Sequence, residues 1–217
     1  MKTSNIIIIS TIGILVSLNL WMAIDAESKF ESFVSEEEVT EEIEQINIPL
    51  ENFSHIVVSG DINLNIRNDN NNSIFQYNEN EYTTRIINDT LYVSGDSHLS
   101  LNCNSIKSII LKGDCKVNTE QLKMEYLLIK TFDNTKAFIR HADIVKLDIY
   151  SLDDSRIIMT QSKIDTTNVL ATENSRIGLV GALSLVRGEV KDDSNLSVTG
   201  ANSSQFSKSE NGKVRMN

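Results

Sequence analysis

The side chains in this sequence that could do chemistry are few, and most recur at a fixed spacing. Asp96 and Asp114 occupy consecutive copies of one short phrase, and Asp153 and Asp154 stand together in a later copy. Carboxylates one coil apart could hold Ca²⁺ or act as an acid–base pair. Calcium-binding β-rolls, however, use glycine-rich nonapeptides, which this chain lacks, so a ladder of turns is the simpler reading. His55, His98 and His141 stand in no ligand spacing with one another or with a cysteine, and tetrahedral metal sites need such spacing. No metal and no cofactor is expected. Cys103 and Cys115 lie too far apart for a C-x-x-C redox pair. Export would permit a disulfide between them; alternatively Cys115, in a position filled elsewhere by Ser or Thr, is a packed thiol. No cluster of Asp, Lys and Arg stands apart from the repeating pattern, so no catalytic residue is assigned.

Those residues belong to a phrase written seven times, beginning at Gly95, Gly113, Asp133, Asp153, Glu173, Asp192 and Glu210. Its small third residue falls at 97, 115, 135, 155, 175, 194 and 212, in steps of 18, 20, 20, 20, 19 and 18. The second residue is always Asp or Asn, types that tolerate left-handed backbone and bond their own main chain at turns. The first is acidic in the last five copies, and the fourth is basic in four of those: Lys136, Arg156, Arg176 and Lys213. Stacked, these make an acidic column beside a basic one, each offsetting the other's repulsion. Exposed ion pairs contribute only ~0–1 kcal/mol, so the columns read first as devices of register and solubility.

A phrase with this period needs a scaffold that returns it to the same place. Two positions past the third residue come Leu99, Val117, Ala137, Ile157, Ile177, Leu196 and Val214. Four positions past it come Leu101, Thr119, Ile139, Met159, Leu179, Val198 and Met216. Alternation of this kind marks half-buried strands. Six positions before the third residue lie Leu91, Ile109, Ile129, Ile149, Val169 and Phe206, broken only at Gly188, and Ile106, Met124, Ile144 and Ile164 form a third patch. Three inward patches per period, separated by polar turns, describe a parallel β-helix. Coils ~4.8 Å apart would build a rod of roughly 30–35 Å. In this register Ile157 points inward, whereas Ser100 points outward and should accept a charge. The outward apolar residues form two stripes that could meet a partner. One holds Tyr92, Ile110, Tyr150 and Leu170, with Lys130 among them; the other holds Phe138 and Ile158.

Ahead of the repeats, Lys2 precedes an apolar run from Ile6 to Ile24. Residues 1–26 read as a cleaved secretory signal peptide, with an uncleaved N-terminal membrane anchor over residues 6–24 as the rival. Either places the domain outside the cytoplasm, in the periplasm or at the cell surface. Residues 27–45, with Glu36, Glu37, Glu38, Glu41, Glu42 and Glu44, form an acidic linker. The β-helix domain occupies residues 46–217, enough chain to bury a good core. Its first coil reuses the phrase: Gly60-Asp61-Ile62-Asn63-Leu64 matches Gly95-Asp96-Ser97-His98-Leu99. The chain between makes an excursion in which Ile74, Phe75 and Tyr77, then Tyr82, Ile86 and Ile87, suggest two short strands able to cap the open end of the stack.

The segment Leu50-Glu51-Asn52-Phe53-Ser54-His55-Ile56-Val57-Val58-Ser59-Gly60, then Asp89-Thr90-Leu91-Tyr92-Val93 and the repeated phrases, resemble the head-GIN domain family of bacterial envelope proteins, the auto-transporter adhesins, over about residues 46–217. The family's hallmark tripeptide is not kept, since Gly60-Asp61-Ile62-Asn63 carries an extra residue. The resemblance implies an all-β fold: a right-handed parallel β-helix, here of about seven to eight coils with an elaborated N-terminal coil. It also implies a role in cell adhesion and supplies no catalytic set.

The net charge of −10, from 20 basic and 30 acidic residues, argues against nucleic acid and against an anionic membrane surface as partners. Contact with a membrane is expected only if the N-terminal segment stays attached. The preferred reading is a non-enzymatic exported cell-envelope protein, an adhesion or protein-interaction module whose partner is an envelope protein or a surface glycan. The alternatives are a carbohydrate-active enzyme on the same scaffold, which would need a groove with charges that break the columns, and a membrane-tethered structural or signalling element.

Overall fold

The computed structural model describes residues 46–76, 81–209 and 211–217. The expected signal or anchor, the acidic linker and Tyr77 lie outside the described residues. The opening part of the domain contains β1 (Ile46–Pro49), β2 (His55–Asn68), β3 (Ser73–Gln76), β4 (Tyr82–Ile87) and β5 (Thr90–Cys103). Shorter strands follow: β6 (Ser108–Gly113), β7 (Lys116–Glu120), β8 (Lys123–Thr131), β9 (Lys136–Arg140) and β10 (Asp143–Ser151). Last come β11 (Arg156–Ala171), β12 (Arg176–Val190), β13 (Asn195–Lys208) and β14 (Lys213–Met216). From β6 onward every pairing is parallel, and the chain winds through about five regular turns of a β-solenoid.

Two of the inward columns read from the sequence show the stacking. Leu99, Leu64, Val117, Ala137, Ile157, Ile177, Leu196 and Val214 stand in register through the stack. All are buried except Val214, which is half-buried. Leu91, Ile56, Ile109, Ile129, Ile149 and Val169 form the second. It continues through Gly188 to Phe206, which packs half-buried against the core. Each aliphatic side chain so buried contributes ~1.5–3 kcal/mol, several times what an exposed ion pair at the corner can add. The interior columns therefore hold the fold, and the charged phrase marks where it turns.

The first coils do not stack in chain order. The sequence suggests the succession Gly60, Gly95, Gly113; instead β2 lies between β5 and β6, so that Gly60 pairs with Gly95 on one side and Gly113 on the other. The excursion after β2 explains the exchange. The chain runs through β3 and then forms the antiparallel hairpin β4–β5 about Asn88 and Asp89, whose φ angles are 47° and 62°. Two successive left-handed residues are the geometry of a tight hairpin turn. β5 thus receives β3 and β4 on its outer edge and β2 on its inner edge, and β1 then pairs with β3. The expected cap is present, built from three antiparallel strands.

Two further expectations change. Left-handed backbone falls on the first residue of the phrase, with φ near 57° at Asp133 and Asp153, 55° at Glu173 and 50° at Asp192, and on the expected second residue only at Asn174 and Asp193, at 65° and 60°. Gly60 and Gly113 take the first position at 94° and 86°, a conformation glycine adopts without the steric cost of a Cβ. Ser100 points away from the core as read, yet it is buried. Its register partners Asn65 and Phe75 flank it on both sides, so a charge there would be desolvated.

Adjacent residues in β11 give the test of inward and outward faces. Ile157→Asp puts an unpaired carboxylate in a site of 0% exposure and is expected to cost more than about 4 kcal/mol or to abolish folding. Ile158→Asp, on the half-exposed side, is expected to cost about 1 kcal/mol or less. Urea-denaturation midpoints of the two variants check the assignment, and equal losses would refute it.

Candidate functional site

The histidines do not converge. His55 Nδ1 lies 2.7 Å from Ser108 Oγ, His98 Nδ1 lies 3.2 Å from Asn63 Nδ2, and His141 occupies a turn with φ 52°. Among the described residues no group of three or more His, Cys, Asp or Glu side chains comes together as a metal site would require.

Asp96 and Asp114 are not neighbours, because Asp61 sits between their levels. Along the corner the carboxylates bond to the solenoid itself. The Gly113 amide donates to Asp133 at 2.9 Å, and the Asp133 amide donates to Asp153 at 3.2 Å. In the adjoining column Asp and Asn alternate from Asp114 through Asn134, Asp154 and Asn174. Asn134 donates its amide to Asp114, and Asn174 donates to Asp154. The acidic corner is thus a ladder of carboxylates held by backbone and side-chain amides. The basic column does not close onto the acidic one. Lys136, Arg156, Arg176 and Lys213 make no ion pair among the described residues. Like charges one strand spacing apart repel by roughly 1 kcal/mol in water before salt screening.

The two thiols are both buried and free. Their different places in the coil, together with the order of the first coils, explain why they do not bridge. Cys103 pairs with Asn68, whereas Cys115 lies two residues before Val117, the partner of Leu64. They are therefore six residues apart along the strand, roughly 20 Å at ~3.3 Å per residue, with the β2 level between them. A disulfide needs Cα atoms within about 7 Å. Cys103 Sγ instead faces the Arg67 carbonyl at 3.8 Å, and Cys115 Sγ faces the Lys112 carbonyl at 3.5 Å. Burial pushes Cys103 up to about 12 and Cys115 up to about 11 from a usual 9.0.

The outward residues divide between two faces. On the first, Tyr92, Val57, Ile110, Lys130, Tyr150 and Leu170 stand in one column. Val57, brought in by β2, was not visible in the sequence pattern. Beside this column runs a polar one that sequence reasoning missed: Asp148, Asn168, Arg187 and Gln205. Asp148 accepts hydrogen bonds from Tyr126 Oη at 2.9 Å and from Asn168 Nδ2, and Lys146 Nζ lies 3.6 Å away. Arg187 Nε donates to Asn168 at 2.7 Å. Three donors converge on Asp148, which holds Tyr126, Lys146 and Asn168 in fixed positions. Tyr126 and Tyr150 are 37% and 39% exposed, and Lys146 and Lys130 lie over their rings at 5.4 and 5.2 Å. Below Tyr150 an open hollow of about 510 Å³ is bordered by Leu170, Arg187, Gly188 and Phe206. Phe138 and Ile158 lie apart from these, paired on the other face.

Both thiols are expected to resist iodoacetamide at neutral pH in the folded protein, because the thiolate is the reactive form. Unfolding should expose two reactive groups, and intact mass before and after denaturation reads this out. Glu173 supplies a pH dependence. Its carboxyl is raised first by the hydrogen bond it shares with Asp153, then by that group's charge. The fold therefore holds this proton more tightly than the unfolded chain does. The resulting stability is present below the ordinary Glu value and is lost as pH rises through the raised one. In thermal melts across the acidic range, Glu173→Gln should remove that loss.

No family model and no curated protein matches the sequence. Solved structures do match. A "putative adhesin" from Bacteroides fragilis aligns with a TM-score of 0.56 at 15% identity, over 80% of this chain and 96% of its own. One from Parabacteroides merdae gives 0.52 at 13% identity, over 80% and 95%, and one from Parabacteroides distasonis gives 0.51 at 13%, over 80% and 96%. At these identities the likeness establishes a shared fold.

Proposed function

We propose that this protein is an exported, non-catalytic adhesion module of the bacterial cell envelope, of the head-GIN kind, which meets a surface protein or glycan through an outer face of its solenoid. The observation that carries this reading is the exposed pair Tyr126 and Tyr150, with the Asp148–Asn168–Arg187 ladder between and beside them. Exposed aromatic rings braced by fixed polar groups offer contact area at low entropic cost. The names of the similar solved structures support the same reading, as does the sequence resemblance over residues 46–217. The apolar run from Ile6 to Ile24 would deliver the domain to the envelope.

The test has two arms. The protein is isolated from fractionated native cells and its mass measured; recovery from a cytoplasmic fraction with an intact N-terminus would overturn the export assignment. Cells producing the wild-type protein are then compared with cells producing Tyr126→Ala with Tyr150→Ala, for attachment to surfaces coated with envelope protein or mucin-type glycan. Attachment is expected to fall about tenfold or more, the effect of losing ~1.4 kcal/mol or more of contact energy, with unchanged protein level and melting temperature. Equal attachment would overturn the contact face.

A further inference from the structure

The face formed by β7, β9, β11, β12, β13 and β14 carries positive charge out of keeping with a chain of net charge −10. One outward column reads Lys116, Lys136, Arg156, Arg176, Asn195 and Lys213. Arg140 and Arg215 lie on the same side of their strands. Glu120, the carboxylate among these outward strand positions, is taken by Arg140 at 3.5 Å. Arg156, Arg176, Lys213 and Arg215 border a hollow of about 400 Å³ lined also by Ile158 and Val180. The hollow exists because Gly178 occupies the outward position between Ile158 and Ser197. Nothing lies within 4 Å of where its side chain would begin.

We infer that this face binds a linear uronate-bearing polysaccharide lying along the stack, with carboxylates on Lys136, Arg176 and Lys213 and one sugar ring seated in the Gly178 hollow against Ile158. The strand spacing of ~4.8 Å sets the step between levels; an extended pyranose chain advances about one ring per level and turns successive carboxylates to alternate sides, so those facing the protein meet every second level, as Lys136, Arg176 and Lys213 are placed. Such a chain also pairs one anion per ring with an apolar ring face, as this surface pairs a cation column with Phe138, Ile158 and Val180. Nucleic acid fits less well. A duplex winds its phosphates along a helical path rather than a straight column, and a single strand needs successive aromatic platforms, whereas this face offers Phe138, under the Lys116 ammonium at 5.4 Å. The inference goes beyond the proposed adhesion face and uses the other side of the solenoid, so either can fail while the other stands.

The test is equilibrium binding of the full chain to a fluorescent oligogalacturonate spanning the six levels. Neutral dextran, oligothymidylate and phosphatidylglycerol vesicles serve as competitors. The expected result is binding that dextran does not displace and that weakens about tenfold or more between low and physiological salt. Gly178→Glu, placed in open space, should lower affinity about tenfold or more at an unchanged melting temperature. Arg156→Gln with Arg176→Gln gives the same readout if Gly178→Glu does not fold. Absence of binding at low salt, equal affinity in the variants, or stronger competition by oligothymidylate or by the vesicles would overturn the inference.

Discussion

Parallel backbone pairing between residues one turn apart is the constraint on which everything else depends. Once β10 bonds to β8 and β11 in fixed register, each position of a turn stands directly against its counterparts above and below. Side chains then form columns, and a column must be tolerable along its whole length. Aliphatic columns satisfy this with ease, since Ile129 on Ile149 on Val169 simply extends the core. Charged columns do not, and the corner shows how the sequence answers. Aspartate alternates with asparagine, so that each amide falls on a carboxylate. The same register repeats left-handed backbone at two corners, one filled by glycine near the capped end and by Asp or Glu beyond it, the other by Gln121, His141 and Gln161.

The capped end follows from what a stack of parallel strands leaves unpaired. The outermost level presents a row of free N–H and C=O groups, a template for aggregation. Here β3 and β4 cover the outer edge of β5 in antiparallel sense, and β1 continues the sheet. Closing the end this way forces the chain to leave β2, build the outer level and come back across it. The exchange of β2 and β5 is therefore the geometric consequence of capping with the chain's own excursion. It also separates Cys103 from Cys115 and puts Asp61 between Asp96 and Asp114.

Much of this was legible in the sequence, for a physical reason. Burial is decided residue by residue along a strand, so the columns through Ile157 and Ile149 could be read from alternation alone. The two cap strands around Ile74 and Ile86 were legible in the same way. Level order was not. Gly60-Asp61 and Gly95-Asp96 are interchangeable by local pattern, and only pairing with β3 and β4 decides which lies outside. The same blindness applies wherever neighbours come from another level. Ser100 reads as outward but is enclosed by Asn65 and Phe75, and the Asp148–Asn168–Arg187 ladder joins residues whose types share no pattern. The apolar stripe was legible as residues but not as surface, because Phe138 and Ile158 belong to a different side from Tyr150 and Leu170.

Net charge misleads for a related reason. A total of −10 suggests a uniformly acidic particle that repels anions, but a solenoid sorts its charge by column. The corner carboxylates accept hydrogen bonds from amides of adjoining levels, which hold them along their own corner. Lys136, Arg156, Arg176 and Lys213 gain no such partners, and their mutual repulsion works against the register that aligns them. The column of Asp114, Asn134, Asp154 and Asn174 interleaves neutral donors along its length. In the basic column the single interruption is Asn195, and the glycine beside Arg176 leaves open the space where a side chain could have screened the charges. Repulsion retained in this arrangement favours any anion that can span several levels at once, because each level it covers removes a repulsion as well as adding an attraction.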